Sequence, residues 1–245
     1  MVPEKLINEF VSRTRHAAEP NLESIILYGS AASGSFDAEF SNINLLFVLK
    51  DAGFPSLQKL APAMGWWHRQ KQAPPLIMSR EELNRSTDVF SIELLDMKQH
   101  HRILFGQDVL QSITVAMHLH RVQVEYELRE KLLLLRQSLL LAGVNKNRIW
   151  DLLLGSVASF ATLFRHSLLA LGEASPDTNR RSITTLAERI GFNGTPLLQV
   201  LDVREHRLSR KEVNVEQLCA EYLTAVEYVT AAVDRLLDGA SGHSS

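Results

Sequence analysis

The 245-residue chain holds one cysteine, Cys219, and no surplus of charge of either sign. A lone thiol excludes an internal disulfide framework. Lys and Arg total 26 against 28 Asp and Glu, a formal net charge of -2 with a pI near 6.5. Global attraction for nucleic acid or an anionic membrane is therefore excluded, since that needs a large basic surplus. Long uncharged runs are missing as well. The most apolar stretch, "LLLGSVASFATLF" at residues 152–164, is shorter than the roughly 20 residues a membrane-crossing helix requires, and it reads as a buried helix. The start, "MVPEKLINEF", lacks the basic-then-apolar layout of a secretory signal. The expected location is a reducing cytoplasm with no membrane partner. No internal repeat or low-complexity block is visible, and "DGASGHSS" at the end has the small polar residues of a frayed tail.

The chain has enough apolar residues, 45%, for one large core or two modest ones, and its periodicity favours two. Leu6, Ile7, Phe10 and Val11 repeat at helical spacing. Two apolar strands follow, "SIILYG" and "NINLLFVL". Leu57, Leu60, Met64 and Trp67 mark a crossover helix that "APP" at 73–75 ends. "LIM" at 76–78 is a short strand, and "SREE" after it is a capping box with Ser79 as N-cap and Glu82 reaching back. "VFSIELLDM" at 89–97 reads as an extended run around Glu93, with "ILFG" at 103–106 as a last edge.

Past Asp108 the pattern becomes helical, through "HRVQVEYELREKLLLLRQSLLLAG", "NRIWDLLLGSVASFATLFRHSLLALG", "SITTLAERIG" and "VNVEQLCAEYLTAVEYVTAAVDRLL". Leu218, Tyr222, Ala225 and Val229 form one stripe of the last, with Cys219 beside it as a small buried hydrophobe. The expected fold class is α/β (α+β): a small mixed-sheet domain over residues 1–108, an all-α bundle of about four helices over 109–238, and a tail over 239–245.

The chemistry concentrates in "LYGSAASGSFDAEFSNINLLFVL", residues 27–49. A strand ending in Gly29-Ser30 lets phosphate oxygens approach backbone N–H groups closely. Asn42 and Asn44 are two apart on a strand, so both side chains leave one face. A Gly-Ser turn, a spacer of residues 31–41, then two polar residues alternating with apolar ones resembles the polymerase-beta-like nucleotidyltransferase superfamily. "LIMSREELNRSTDVFSIELLDMKQHHRILFGQD" is similar to the second half of stand-alone bacterial nucleotidyltransferases, which also end in a helical domain.

The resemblance implies a nucleoside triphosphate cofactor held at Gly29 and Ser30, and a metal site at the positions of Asn42, Asn44 and Glu93. In the family two of these are aspartates that hold two Mg2+ ions. Here they are amides, each offering one neutral oxygen where Mg2+ prefers anionic ones, so Mg2+ binding is expected to be weak or absent and transfer crippled. Asp96 is an alternative third carboxylate, but on a strand it would face away from Glu93.

Other constellations carry less. His118 and His120 with Glu125 sit at helical positions that diverge. Lys98, His100, His101 and Arg102 form a basic cluster that would suit a polyphosphate. Trp66 is the one aromatic left for stacking a base once Trp67 is assigned to the core. No Arg is followed after four to six residues by His, the mark of a ribonuclease family whose helical domains accompany small nucleotidyltransferases. The bundle is expected to be a substrate-binding or homodimerisation platform. Three readings remain: a pseudo-enzyme that binds a nucleotide, small molecule or partner; an active nucleotidyltransferase drawing metal ligands from Glu93 and from Asp37 or Glu39; and a structural dimerisation module.

Overall fold

A computed structural model describes residues 2–34, 36 and 41–241, with side chains described as far as residue 236. Asp37 and Glu39 lie outside the described residues. The chain divides into two compact units, Met1–Ala116 and Met117–Ser245. Val109, Leu110 and Ile113 are buried in the core of the first unit, and so carry it past residue 108.

In the first unit, α1 (Glu4–Ala18) leads to β1 (Leu22–Tyr28), the single turn α2 (Ser30–Ser33), β2 (Asn44–Leu49), α3 (Phe54–Arg69), β3 (Leu76–Ser79), α4 (Arg80–Arg85), α5 (Ser91–Gln99) and β4 (His101–Gly106). The sheet runs in the order β3-β2-β1-β4, with β1 antiparallel to β2 and β4, and β2 parallel to β3. Both faces are covered, which is why β2 is a nearly unbroken apolar run. Ile25, Leu27, Leu45, Phe47 and Leu49 pack with Ile7, Phe10, Leu60 and Trp67 of α1 and α3. Trp67 lies against Phe10 with ring centroids 4.1 Å apart and donates its indole N–H to the Ala73 carbonyl at 2.7 Å. Trp66 packs on Phe10 and is covered by the Arg13 guanidinium at 4.7 Å, so it belongs to this layer and not to a base-stacking surface.

The opposite face carries Ile26, Leu46, Val48 and Met78, packed with Leu83, Leu94, Met97, Val109, Leu110 and Ile113. The expected extended run over 89–97 is corrected here, because residues Ser91–Gln99 form α5. Leu94 and Met97, one helical turn apart, turn together into the core, and this packing overrides the strand preference of Val89, Phe90 and Ile92. The capping box is present: the Glu82 N–H donates to Ser79 Oγ at 3.1 Å, and the Ser79 N–H donates to Glu82 Oε2 at 2.7 Å. Ser79→Ala is expected to cost about 1 kcal/mol in urea denaturation; a loss below a few tenths would show that the cap contributes nothing.

The second unit is all helical: α6 (Met117–Ala142), α7 (Lys146–Ala170), α8 (Asn179–Ile190), α9 (Thr195–Arg204) and α10 (Val215–Ser241). Helix α10 thus takes in residues 239–241, assigned above to the tail. By length and composition α7 is apolar enough to cross a membrane, but its Leu153, Val157, Phe160, Ala161 and Phe164 are buried in the bundle core. Tyr222 of α10 meets Ser156 of α7 at 3.0 Å between hydroxyls. Burial raises the Cys219 thiol above its ordinary value, in keeping with a packing role.

Candidate functional site

Each strand of the sheet contributes apolar side chains until the end of β1, where the same face turns polar. In the ladder Tyr28 is opposite Asn44 of β2 and opposite His101 of β4. Directly opposed residues send their side chains to one face, here the face that holds Ile26, Leu46 and Ile103. Asn44, Tyr28 and His101 therefore form a row across three strands, immediately before Gly29 and Ser30. Gly29 has φ +72° and ψ -152°, a region essentially reserved for glycine. A β-carbon there would sit 3.0 Å from Asn44 Nδ2, so the turn and the amide are packed together.

His101 Nε2 lies 3.1 Å from Asp108 Oδ2, while the Leu110 N–H donates to Asp108 Oδ1 at 3.1 Å. Burial pushes the Asp108 carboxyl up, but the His101 and Leu110 contacts outweigh it and hold the group below its ordinary value. Burial, and secondly the charge of Glu93, raise the Tyr28 phenol. Glu93 acts on Tyr28 through its charge, lies on helix α5 and not on a strand, and is exposed. Asp96 is on the same helix. Asn42 is exposed and precedes β2, so the structure joins Gly29, Asn44 and Tyr28 while Asn42 stands outside the ladder. Ser30 is half-buried at the start of α2.

The basic cluster read from the sequence is dispersed. Lys98 Nζ donates to the Ile113 carbonyl at 2.5 Å, and Arg102 donates to Glu4 at 2.8 Å from the α1 side of the sheet. His101 is held by Asp108. Among the described residues, the donors beside the turn do not match the Mg2+ ligands that the resemblance implies. Asn44 is a neutral amide, and β3, the strand beside β2, offers only Leu76, Ile77, Met78 and Ser79. Among the described residues no three His, Cys, Asp or Glu side chains are grouped as a metal site would need. His120 and His166 do meet, with ring centroids 5.1 Å apart, but as fully buried core residues of α6 and α7. Tyr28 and Asp108 were not singled out by the sequence pattern. The signal for Tyr28 is its place as the last strand residue before the Gly-Ser turn.

No family model matches the chain, and no curated protein sequence matches it. Among solved structures, the chain is similar to spectinomycin adenyltransferase AAD(9) from Enterococcus faecialis, crystallised with ATP and spectinomycin, at 13% identity and a TM-score of 0.57, over 94% of this chain and 99% of that one. The chain shares the fold of that adenyltransferase. At this identity the likeness carries the fold alone, a mixed-sheet domain with a helical second domain, and leaves the chemistry to the residues of this chain.

Proposed function

We propose that the chain is a nucleotidyltransferase-fold protein that has lost metal-dependent transfer and uses the cleft at Gly29 and Ser30 to bind a nucleotide or a related small molecule. The observation that carries this reading is the donor set: an amide at Asn44, an exposed amide at Asn42 and a β3 strand without a carboxylate. Nucleotidyl transfer depends on neutralising phosphate charge and on accepting a proton from the attacking hydroxyl, and neutral amides supply neither. The retained turn geometry, with Asn44 packed on Gly29, supports a binding role. The ATP and spectinomycin bound by the structural neighbour make nucleotides and small polar molecules the classes to test.

The decisive experiment pairs thermal shift with a transfer assay on the purified chain, using the four common nucleoside triphosphates with and without Mg2+. A ligand that binds the native state alone raises its stability, so at least one nucleotide is expected to raise Tm, with no labelled product above background. Mg2+-dependent transfer that Glu93→Gln abolishes would overturn the loss of catalysis. The absence of any shift would overturn the binding role and favour the dimerisation module.

A further inference from the structure

The row at the end of β1 is chemically unlike a polyphosphate site. Asp108 is an acceptor-only carboxylate with both oxygens engaged, one by His101 and one by the Leu110 N–H. The proton between Asp108 and His101 is therefore carried by Nε2, and in the neutral ring Nδ1 is the remaining acceptor. The neighbouring Tyr28 keeps its phenolic proton and is a donor. The two side chains come from directly opposed positions of β1 and β4, which places them about 5 Å apart at their β-carbons. A donor and an acceptor on one face can engage hydroxyl groups, each of which both donates and accepts.

The surrounding charges point the same way. The cations closest in sequence are turned to other partners, Lys98 to the Ile113 carbonyl and Arg102 to Glu4 on the opposite face. The charges felt at the row are acidic: Glu93 acts electrostatically on Tyr28, and Asp108 is bonded to His101. With a neutral amide at Asn44 and the Lys98 ammonium engaged by the Ile113 carbonyl, phosphates gain little from the described residues of this face, whereas hydroxyl groups carry no charge to be repelled.

We propose that Tyr28, His101 and Asp108 form a metal-independent hydroxyl-recognition site that holds the sugar of a nucleoside-type ligand, with the phosphates contributing little. Tyr28 and His101 touch the sugar, and Asp108 positions His101. This inference rests on the binding role argued above and names the part of the ligand that the site reads.

The test is calorimetric titration of the full chain in EDTA with the four ribonucleosides and their triphosphates, repeated in Mg2+. For the base that binds, the nucleoside is expected to match its triphosphate within about threefold, with no effect of Mg2+. The 2′,3′-dideoxynucleoside is expected to bind at least about tenfold more weakly, since the site's polar groups lose their partners. Tyr28→Phe and His101→Phe are each expected to weaken the nucleoside by about tenfold and to leave the dideoxynucleoside unchanged, a split that a merely structural lesion would not produce. A triphosphate more than about tenfold tighter than its nucleoside, a requirement for Mg2+, or equal binding of the dideoxynucleoside would each overturn the inference while the binding role stands. Failure of every nucleoside and nucleotide to bind would overturn both.

Discussion

Gly106→Ala is expected to destabilise the first unit by about 3 kcal/mol or more. Gly106 closes β4 opposite Ser24 with φ +78°, and an alanine β-carbon there would sit 1.9 Å from the Glu23 carbonyl oxygen and 2.9 Å from its carbon. Both atoms are backbone, so no side-chain rotation relieves the clash. The edge of β4 has to pull away from β1. Ser24 then loses its acceptors, since its fully buried hydroxyl donates to the Gln107 carbonyl at 2.8 Å and the Phe105 carbonyl at 3.2 Å. An unsatisfied buried hydroxyl adds its own penalty. Gly143→Ala is the control: φ is also positive at +55°, but nothing lies within 4 Å of the added carbon, and a cost of about 1 kcal/mol is expected. Urea denaturation of the two variants decides the matter, and a Gly106→Ala loss no greater than that of Gly143→Ala would show that the β1–β4 edge yields freely. Because β4 begins at His101, the same substitution is expected to disturb the row at Tyr28.

What the sequence displays of this site and what it conceals follow from the range of the interactions. Strand β2 is legible because a sheet covered on both faces demands an apolar run, and Asn44 stands out as the polar break at its start. Ser79 and Glu82 are legible because a capping box is local. Residues 91–99 are misleading because Val89, Phe90 and Ile92 favour a strand locally, while the helix is stabilised by Leu94 and Met97 meeting residues as distant as Leu46 and Leu110. Helix α9 is concealed because Gly194 and Pro196 look like a turn. In the structure Pro196 sits in the first turn, where its missing N–H costs nothing, and Gly194 lets α9 approach Ile183 and Ala187 of α8. The union of Tyr28 with His101 was hidden for another reason. The β1–β4 register shifts between Ile25 and Ile26, and a one-residue slip decides which face of the sheet His101 occupies.

Restoring aspartates at the two amide positions is expected to make stability depend on metal. Asp has nearly the shape of Asn, so the double variant Asn42→Asp, Asn44→Asp should fold, but in EDTA it gains charge where the charge of Glu93 is already felt at Tyr28. Like charges held close without a cation disfavour each other, and a loss of about 1 kcal/mol relative to wild type is expected in EDTA. Most of that loss should appear in Asn44→Asp alone, because Asn44 is half-buried against Gly29 whereas Asn42 is exposed to solvent. Mg2+ at about a hundred times its dissociation constant should then stabilise the double variant by about 2.7 kcal/mol, and leave wild type unmoved. Adding Glu93→Gln is expected to reduce that response, since Glu93 is the third carboxylate that the resemblance implies for the metal site. Denaturation in EDTA and in Mg2+ measures all four proteins on one scale. An equal Mg2+ response in wild type would show that the amides coordinate the ion after all, and no response in the double variant would show that these positions no longer form a metal site even when their carboxylates are returned.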